Sequence, residues 1–223
     1  MTNADFAKFV NATKYKTTAE EKGFGRAYVS GKGWEDVIGA NWAHPSGPES
    51  TIDQIQDHPV VQVSWHDAIA YCEWLTKDLA GFQNPRGLVV RLPTEPEWEK
   101  AARGEYGKEY PWGDEFDKTK CNTSESGIGT TTPVGKFSPQ GDSPYGVADM
   151  SGNVWEWCQS KYKPYPYKAD DGREDLSGED SRVLRGGSFN YNQRNARGAS
   201  RYNSRPHDRC HYLGFRVVVS SIS

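Results

Sequence analysis

Long apolar runs are missing from this 223-residue chain. No stretch approaches the roughly 18 consecutive apolar residues that span a bilayer. No positively charged start followed by an apolar segment opens it as a secretory signal would. These absences point to a cytoplasmic protein without membrane contact. Cysteine is scarce and scattered, at positions 72, 121, 158 and 210, with no CxxC pair. Such spacing fits no compact disulfide framework and favours reduced thiols. A GxSxG nucleophile elbow is also missing, which removes the commonest serine-hydrolase arrangement. Aliphatic content is low, with hydrophobic residues at 35% and a mean hydropathy of −0.84. The formal charge of −3 gives no overall pull toward polyanions.

Aromatic residues fill the deficit: eight Trp, twelve Tyr and eight Phe. Each buries a large area, so a core is affordable without many Leu, and disorder is excluded. Twenty-three Gly and thirteen Pro interrupt the chain too often for long helices. The expectation is an α+β fold with few short helices, short strands and many loops. The length suits one large domain, and no internal repeat or linker divides it, so residues 1–223 read as a single domain. Charge is uneven, with eight Arg, no Lys and one acid between Arg182 and Arg216. No basic helix or stacking motif accompanies them, so they read as organisers of long loops rather than nucleic-acid contacts.

Thr2 to Asp5 opens a helix with Phe6, Phe9 and Val10 on one face. Residues 14–57 lack periodicity and read as a long loop. Pro59 to Val63 reads as a strand, and Ser64 caps a helix lined by Trp65, Ile69, Cys72, Leu75 and Leu79. Leu88 to Leu92 reads as another strand. Thr94-Glu-Pro-Glu97 is a capping box with Pro in the first turn, Trp98, Ala101 and Ala102 facing inward and Gly104 as stop. Arg182 to Arg185 and Gly214 to Val219 read as core strands bracketing a polar stretch.

Taken together, Thr2-Asn-Ala-Asp-Phe6, Pro59 to Trp65, Arg91 to Trp98, Tyr110-Pro-Trp-Gly113, Thr132-Pro-Val134, Met150-Ser-Gly-Asn-Val-Trp-Glu-Trp157, Arg185-Gly-Gly-Ser188 and Gly214-Phe-Arg216 resemble the formylglycine-generating-enzyme (sulfatase-modifying factor) family in order and spacing. The resemblance implies a C-type-lectin-like fold. The family usually carries another strand before the position of Thr2, which implies a trimmed chain or one cut from a longer protein. It also implies structural calcium, a hard cation that satisfies several carbonyls at once. One site would use Asn122, Thr123, Ser126 and Ile128, with Ser126 where a carboxylate often sits. A second would use the Glu156 side chain with carbonyls of Asp149, Gly152 and Val154.

The family's oxidase chemistry requires two neighbouring cysteines that bind copper. The first is expected three residues after Gly-Gly-Ser, where Tyr191 stands, and Asn192 to Arg201 contains no Cys. The reading is therefore a non-enzyme without copper. His207, Cys210 and His211 lie within five residues, but Pro206 and polar neighbours suggest an exposed loop rather than a zinc site.

Residues 189–213 mix Asn, Tyr, Ser, Arg and His, the palette of antibody-like binding surfaces. The segment resembles the variable region of diversity-generating retroelement proteins, in which adenines of Asn codons are randomised. That implies a display surface for an unknown protein or other macromolecular ligand. Its contacts would be Asn190, Tyr191, Asn192, Asn195, Tyr202 and Asn203, then Ser204, Arg205, His207, Asp208, His211 and Tyr212. Two alternatives stand beside it: a sensory or scaffold family member that is not diversified, and an oxidoreductase of altered chemistry.

Overall fold

Thr2 opens α1 (Asn3–Thr13) by accepting a hydrogen bond from the Asp5 N–H, and Lys14 closes it in the left-handed conformation at φ 57°. In this computed structural model residues 1–29, 31–81 and 87–221 are described. The apolar face of α1 drives Phe6 and Phe9 into the core, where their rings meet edge to face at 5.4 Å. Trp42, Tyr71 and Phe215 surround Phe6 at 5.5, 6.0 and 6.3 Å between centroids. Aromatic contacts thus do much of the work that Leu and Ile perform in other cores.

The stretch 14–57 is more structured than its composition suggests. Thr17 and Glu20 form a capping box for the short helix α2 (Thr18–Lys22). An antiparallel hairpin follows, β1 (Phe24–Val29) with β2 (Gly33–Ile38), in register from Phe24 opposite Ile38 to Val29 opposite Gly33. Most of β2 faces solvent, and the buried positions of β1 are Gly25 and Ala27, so the hairpin offers no apolar alternation for a sequence reading to find.

Pro59 to Val63 is buried but forms no strand. Val60 N–H donates to Met1 O, Gln62 N–H donates to Cys210 O, and Gln62 sits at φ 60°, which breaks the extended geometry. Ser64 and Asp67 then cap α3 (Trp65–Gly81) reciprocally, Ser64 N–H donating to Asp67 Oδ2 at 2.8 Å and Asp67 N–H to Ser64 Oγ at 3.1 Å. Strand β3 (Leu88–Arg91) leads to α4 (Glu95–Arg103), whose Thr94–Glu97 capping box is present.

The central sheet has the order β6-β5-β4-β7, built from β4 (Trp155–Lys161), β5 (Arg182–Arg185), β6 (Tyr202–Ser204) and β7 (Leu213–Phe215). Strand β7 runs parallel to β4, and the other pairs are antiparallel. Gly214 to Val219 is not one strand. The chain leaves the sheet after Phe215, and β8 (Val218–Ser221) pairs with β3 instead. Gly214 is required because a Cβ there would lie 2.6 Å from the Val60 carbonyl oxygen.

The Arg-rich segment is largely internal. Arg182 is fully buried, 4.0 Å from the Trp65 ring centroid, and donates to the carbonyls of Gln159, Asp175 and Leu176. Arg185 binds Glu99 and the Ser200 carbonyl, while Arg201 forms a two-pronged pair with fully buried Glu95 at 2.5 and 2.8 Å. A rigid guanidinium fork satisfies several loop carbonyls at once, which is how a chain with so little regular structure keeps its backbone paired. Among the described residues no helix is long and apolar enough to cross a membrane.

Candidate functional site

The hairpin β1–β2 packs against residues 202–213, and a cleft of about 610 Å³ opens between them. This size lies inside the ~300–1,000 Å³ range of small-ligand sites. Five sequence-predicted residues line it: Tyr202, Ser204, His207, Asp208 and Tyr212. The opposite wall comes from Lys22, Phe24, Arg26 and Asp36, which sequence reasoning missed because they lie in the stretch taken for loop. Leu184 and Leu213 form an apolar floor. Arg209 is fixed from the hairpin side: its guanidinium lies 4.2 Å from the Phe24 ring centroid and donates to the Phe24 carbonyl. Asp208 is tied down as well, accepting from Ser204 Oγ at 2.5 Å and from Arg205 N–H at 2.9 Å. The two turns that carry these side chains are therefore held in place before any ligand arrives.

The remaining predicted contacts do not share this cleft. Asn190 and His211 line a second pocket, with Tyr28 and Trp34 of the hairpin. Asn192 accepts from Arg194 N–H and Asn195 Nδ2 in a local turn. Asn203 pairs with Val183 in the sheet, and Arg205 is exposed beside the rim. Tyr191 is half-buried, with its ring 5.7 Å from Trp155, 6.4 Å from Tyr202 and 5.6 Å from Tyr212. Burial pushes the phenols of Tyr191 and Tyr212 above their ordinary range. Tyr212 is thus a structural member of an aromatic cluster as well as a wall of the cleft.

Cys210 and His211 are not exposed loop residues. Cys210 is buried, and its carbonyl accepts from Gln62 N–H. His211 packs against Trp34 and Phe189, and burial pushes its imidazole down to about 4. All four cysteines are buried and unpaired. Burial raises the thiols of Cys72, Cys121 and Cys210 to about 12, and that of Cys158 well above its usual value. Thiolates, the form that binds soft metals, are correspondingly disfavoured. No group of three or more His, Cys, Asp or Glu side chains that could hold a metal is present among the described residues.

The two donor sets implied for calcium differ in chemistry. In the first, Ser126 Oγ lies 3.1 Å from Asn122 Oδ1 and 2.7 Å from the Thr123 carbonyl, so a hydroxyl already bridges the oxygens a cation would bridge. Ile128 adds no charge, and this neutral set does not fit a divalent ion. In the second, Asp149, Val154 and Glu156 line one small cavity of about 160 Å³ with Asn153 and Arg216. Gly152 follows at φ 82°, a backbone conformation that favours glycine, and bridges Asn122. Two carboxylates face that cavity. Glu156 is shared with Arg216, while Asp149 accepts a single hydrogen bond, from Gly135 N–H at 2.7 Å. This donor set fits a hard cation.

A larger, shallow depression near Trp112 and Lys120 contains none of the predicted contacts and is walled by residues of the 112–120 loop.

Comparison with known proteins supplies the context. The family profile described as "Sulfatase-modifying factor enzyme 1-like domain" matches residues 1–221. The inactive Cα-formylglycine-generating enzyme 2 of Mus musculus is 37% identical over 253 aligned positions, covering 99% of this chain and 73% of that protein. The formylglycine-generating enzyme of Mus musculus is 35% identical over 257 positions, and the chain spans 64% of its length. Among solved structures, Treponema denticola variable protein 1 superposes with a TM-score of 0.65 at 27% identity, covering 82% of this chain and 78% of that one.

Proposed function

The chain belongs to the sulfatase-modifying factor enzyme 1-like family, and from that premise we propose that it is a member without copper-dependent cysteine oxidase chemistry, which uses its C-terminal segment for recognition. The observation that carries this reading is Tyr191. It stands where the family's first reactive cysteine is expected, wedged among Trp155, Tyr202 and Tyr212. No cysteine follows between Asn192 and Arg201. Phenols and buried thiols offer copper(I) no soft, deprotonated pair. A relative named inactive is 37% identical and one named formylglycine-generating enzyme 38%, so it is Tyr191 rather than overall identity that carries the reading. In this reading residues 1–223 act as one lectin-like domain, and the cleft between hairpin and C-terminal segment takes the ligand. Calcium belongs to the second donor set, where the Asp149, Gly152 and Val154 carbonyls would hold it together with the Glu156 side chain, which it would share with Arg216. The four free thiols support a reducing compartment such as the cytoplasm.

The test is an assay for conversion of a sulfatase-type cysteine peptide to formylglycine with added copper. No turnover is expected, and robust turnover would overturn the reading.

A second reading, a diversified surface, is favoured by a separate observation. Tyr202, Asn203, Ser204, Arg205, His207 and Asp208 are exposed or half-exposed along one rim, while the framework residue Pro206 between them is buried. Likeness to a protein named variable protein 1 supports it. The coding DNA decides: a near-identical template repeat rich in AAC codons is expected nearby, and its absence removes this second reading.

A further inference from the structure

Beside the hairpin lies a separate pocket of about 480 Å³. Its walls are rings: Tyr28 and Trp34 from the hairpin, Phe189 and His211 from the C-terminal region. Trp34 meets Tyr28 edge to face at 5.6 Å and lies 5.3 Å from His211, tilted by 37°. His211 in turn sits 5.5 Å from Phe189. The four rings form one continuous surface, and Tyr28 and Trp34 keep 60% and 38% of theirs exposed. Two aromatic residues left this open beside a concavity are a cost unless something covers them.

The polar lining has a particular character. Ser46, Thr130 and Asn190 contribute two hydroxyls and an amide, and the lining contains no Lys, Arg, Asp or Glu. Asn190 Oδ1 is occupied by Ser188 Oγ at 2.7 Å, which leaves its Nδ2 without a protein partner among the described residues. His211 is uncharged at neutral pH because burial pushes it down to about 4. The pocket therefore offers flat apolar faces and neutral hydrogen-bonding groups, with no fixed charge of either sign.

We propose that this pocket binds one uncharged sugar ring, whose C–H face packs on Trp34 and Tyr28 while its hydroxyls bond Asn190, Ser46 and Thr130. An anion finds no cation here. An organic cation gains ring faces but no carboxylate, and it leaves the amide donor unpaired. A polyol with one apolar face matches both halves of the lining. The proposal is independent of the cleft reading, because its readouts sit on Trp34 and Asn190 rather than on Tyr202.

The test is ¹H–¹⁵N NMR of the full chain titrated with four neutral sugars, the methyl glycosides of glucose, galactose and mannose and N-acetylglucosamine, and with choline and acetate as charged probes. At least one neutral sugar should shift the Trp34 indole and Asn190 side-chain signals with a Kd in the ~mM range. Trp34→Ala and Asn190→Ala should each weaken that binding by roughly tenfold, with the melting temperature retained in Asn190→Ala and a folded amide spectrum in both. Affinity should stay level from neutral pH to pH 8, because nothing in the lining titrates there. Absence of a shift with every sugar, an unchanged affinity in Trp34→Ala, or tighter binding of choline at the same signals would overturn the assignment.

Discussion

Arg216 grips Glu156 with two nitrogens, Nε to Oε2 at 2.5 Å and a terminal nitrogen to Oε1 at 2.8 Å, while Trp98 Nε1 donates to the same carboxylate at 2.6 Å. The acid is nearly buried, so the pair is held with little competition from water. This arrangement ties β4, α4 and the chain after β7 to one point.

Removing one partner strands the other. Arg216→Met is expected to cost roughly 3–5 kcal/mol of stability, measured by urea unfolding, because nearly buried Glu156 would lose its cationic partner.

Calcium should raise the melting temperature, since any ligand that binds only the folded state stabilises it by mass action. The rise should vanish in Glu156→Gln and persist in Ser126→Ala, because the Ser126 set is neutral. An identical melting temperature with calcium and with a chelator would remove the ion from the second donor set.

The thiols should be silent in the folded protein. With Cys72, Cys121 and Cys210 pushed up to about 12, the reactive thiolate is rare at neutral pH. Ellman's reagent should label none of the four within minutes under native conditions and all four after denaturation. Fast native labelling of any one would contradict the burial described.

Tyr202 and Tyr212 should behave differently although both line the cleft. Tyr202 is 45% exposed, so Tyr202→Ala should abolish ligand binding at a stability cost of about 1 kcal/mol. Tyr212 is packed between Trp34 and Tyr191, and Tyr212→Ala should cost roughly 3–5 kcal/mol through the cavity it leaves. A double Ala variant would therefore confound binding with folding, and Tyr212→Phe is the cleaner probe.

His211 sets an acid limit. Its folded pKa of about 4 lies below the ordinary histidine value near ~6.5, so the unfolded chain takes up the proton first. Stability from this residue is complete above the ordinary value and is lost as pH falls toward 4. Imidazole chemical shifts should show His211 neutral until about pH 4, and His211→Gln should flatten the acid limb of the melting curve between pH 6 and 4.

Much of this was legible in the chain. The Thr94–Glu97 box, the Ser64–Asp67 cap and the α1 face of Phe6 and Phe9 follow from chemistry within four residues, and all appear in the fold. The lack of cysteine from Tyr191 to Arg201 was readable because an absent thiol needs no coordinates. The hairpin Phe24–Ile38 was not, since its buried positions are the small residues Gly25 and Ala27 and it is held by the Arg209 guanidinium from 185 residues away. For the same reason half of the cleft wall was invisible.

Local propensity and spacing thus settled where helices begin, which segment lacks cysteine and which is rich in Asn, Tyr, Ser and Arg. Closure of the chain on itself settled the remainder: that Tyr191 and Tyr212 pack inward, that Glu156 is shared with Arg216, and that five of the expected contact residues line one cleft while Asn190 and His211 line another pocket. Caps depend on neighbours a few bonds apart, whereas burial and pairing depend on residues that meet only after the backbone has folded.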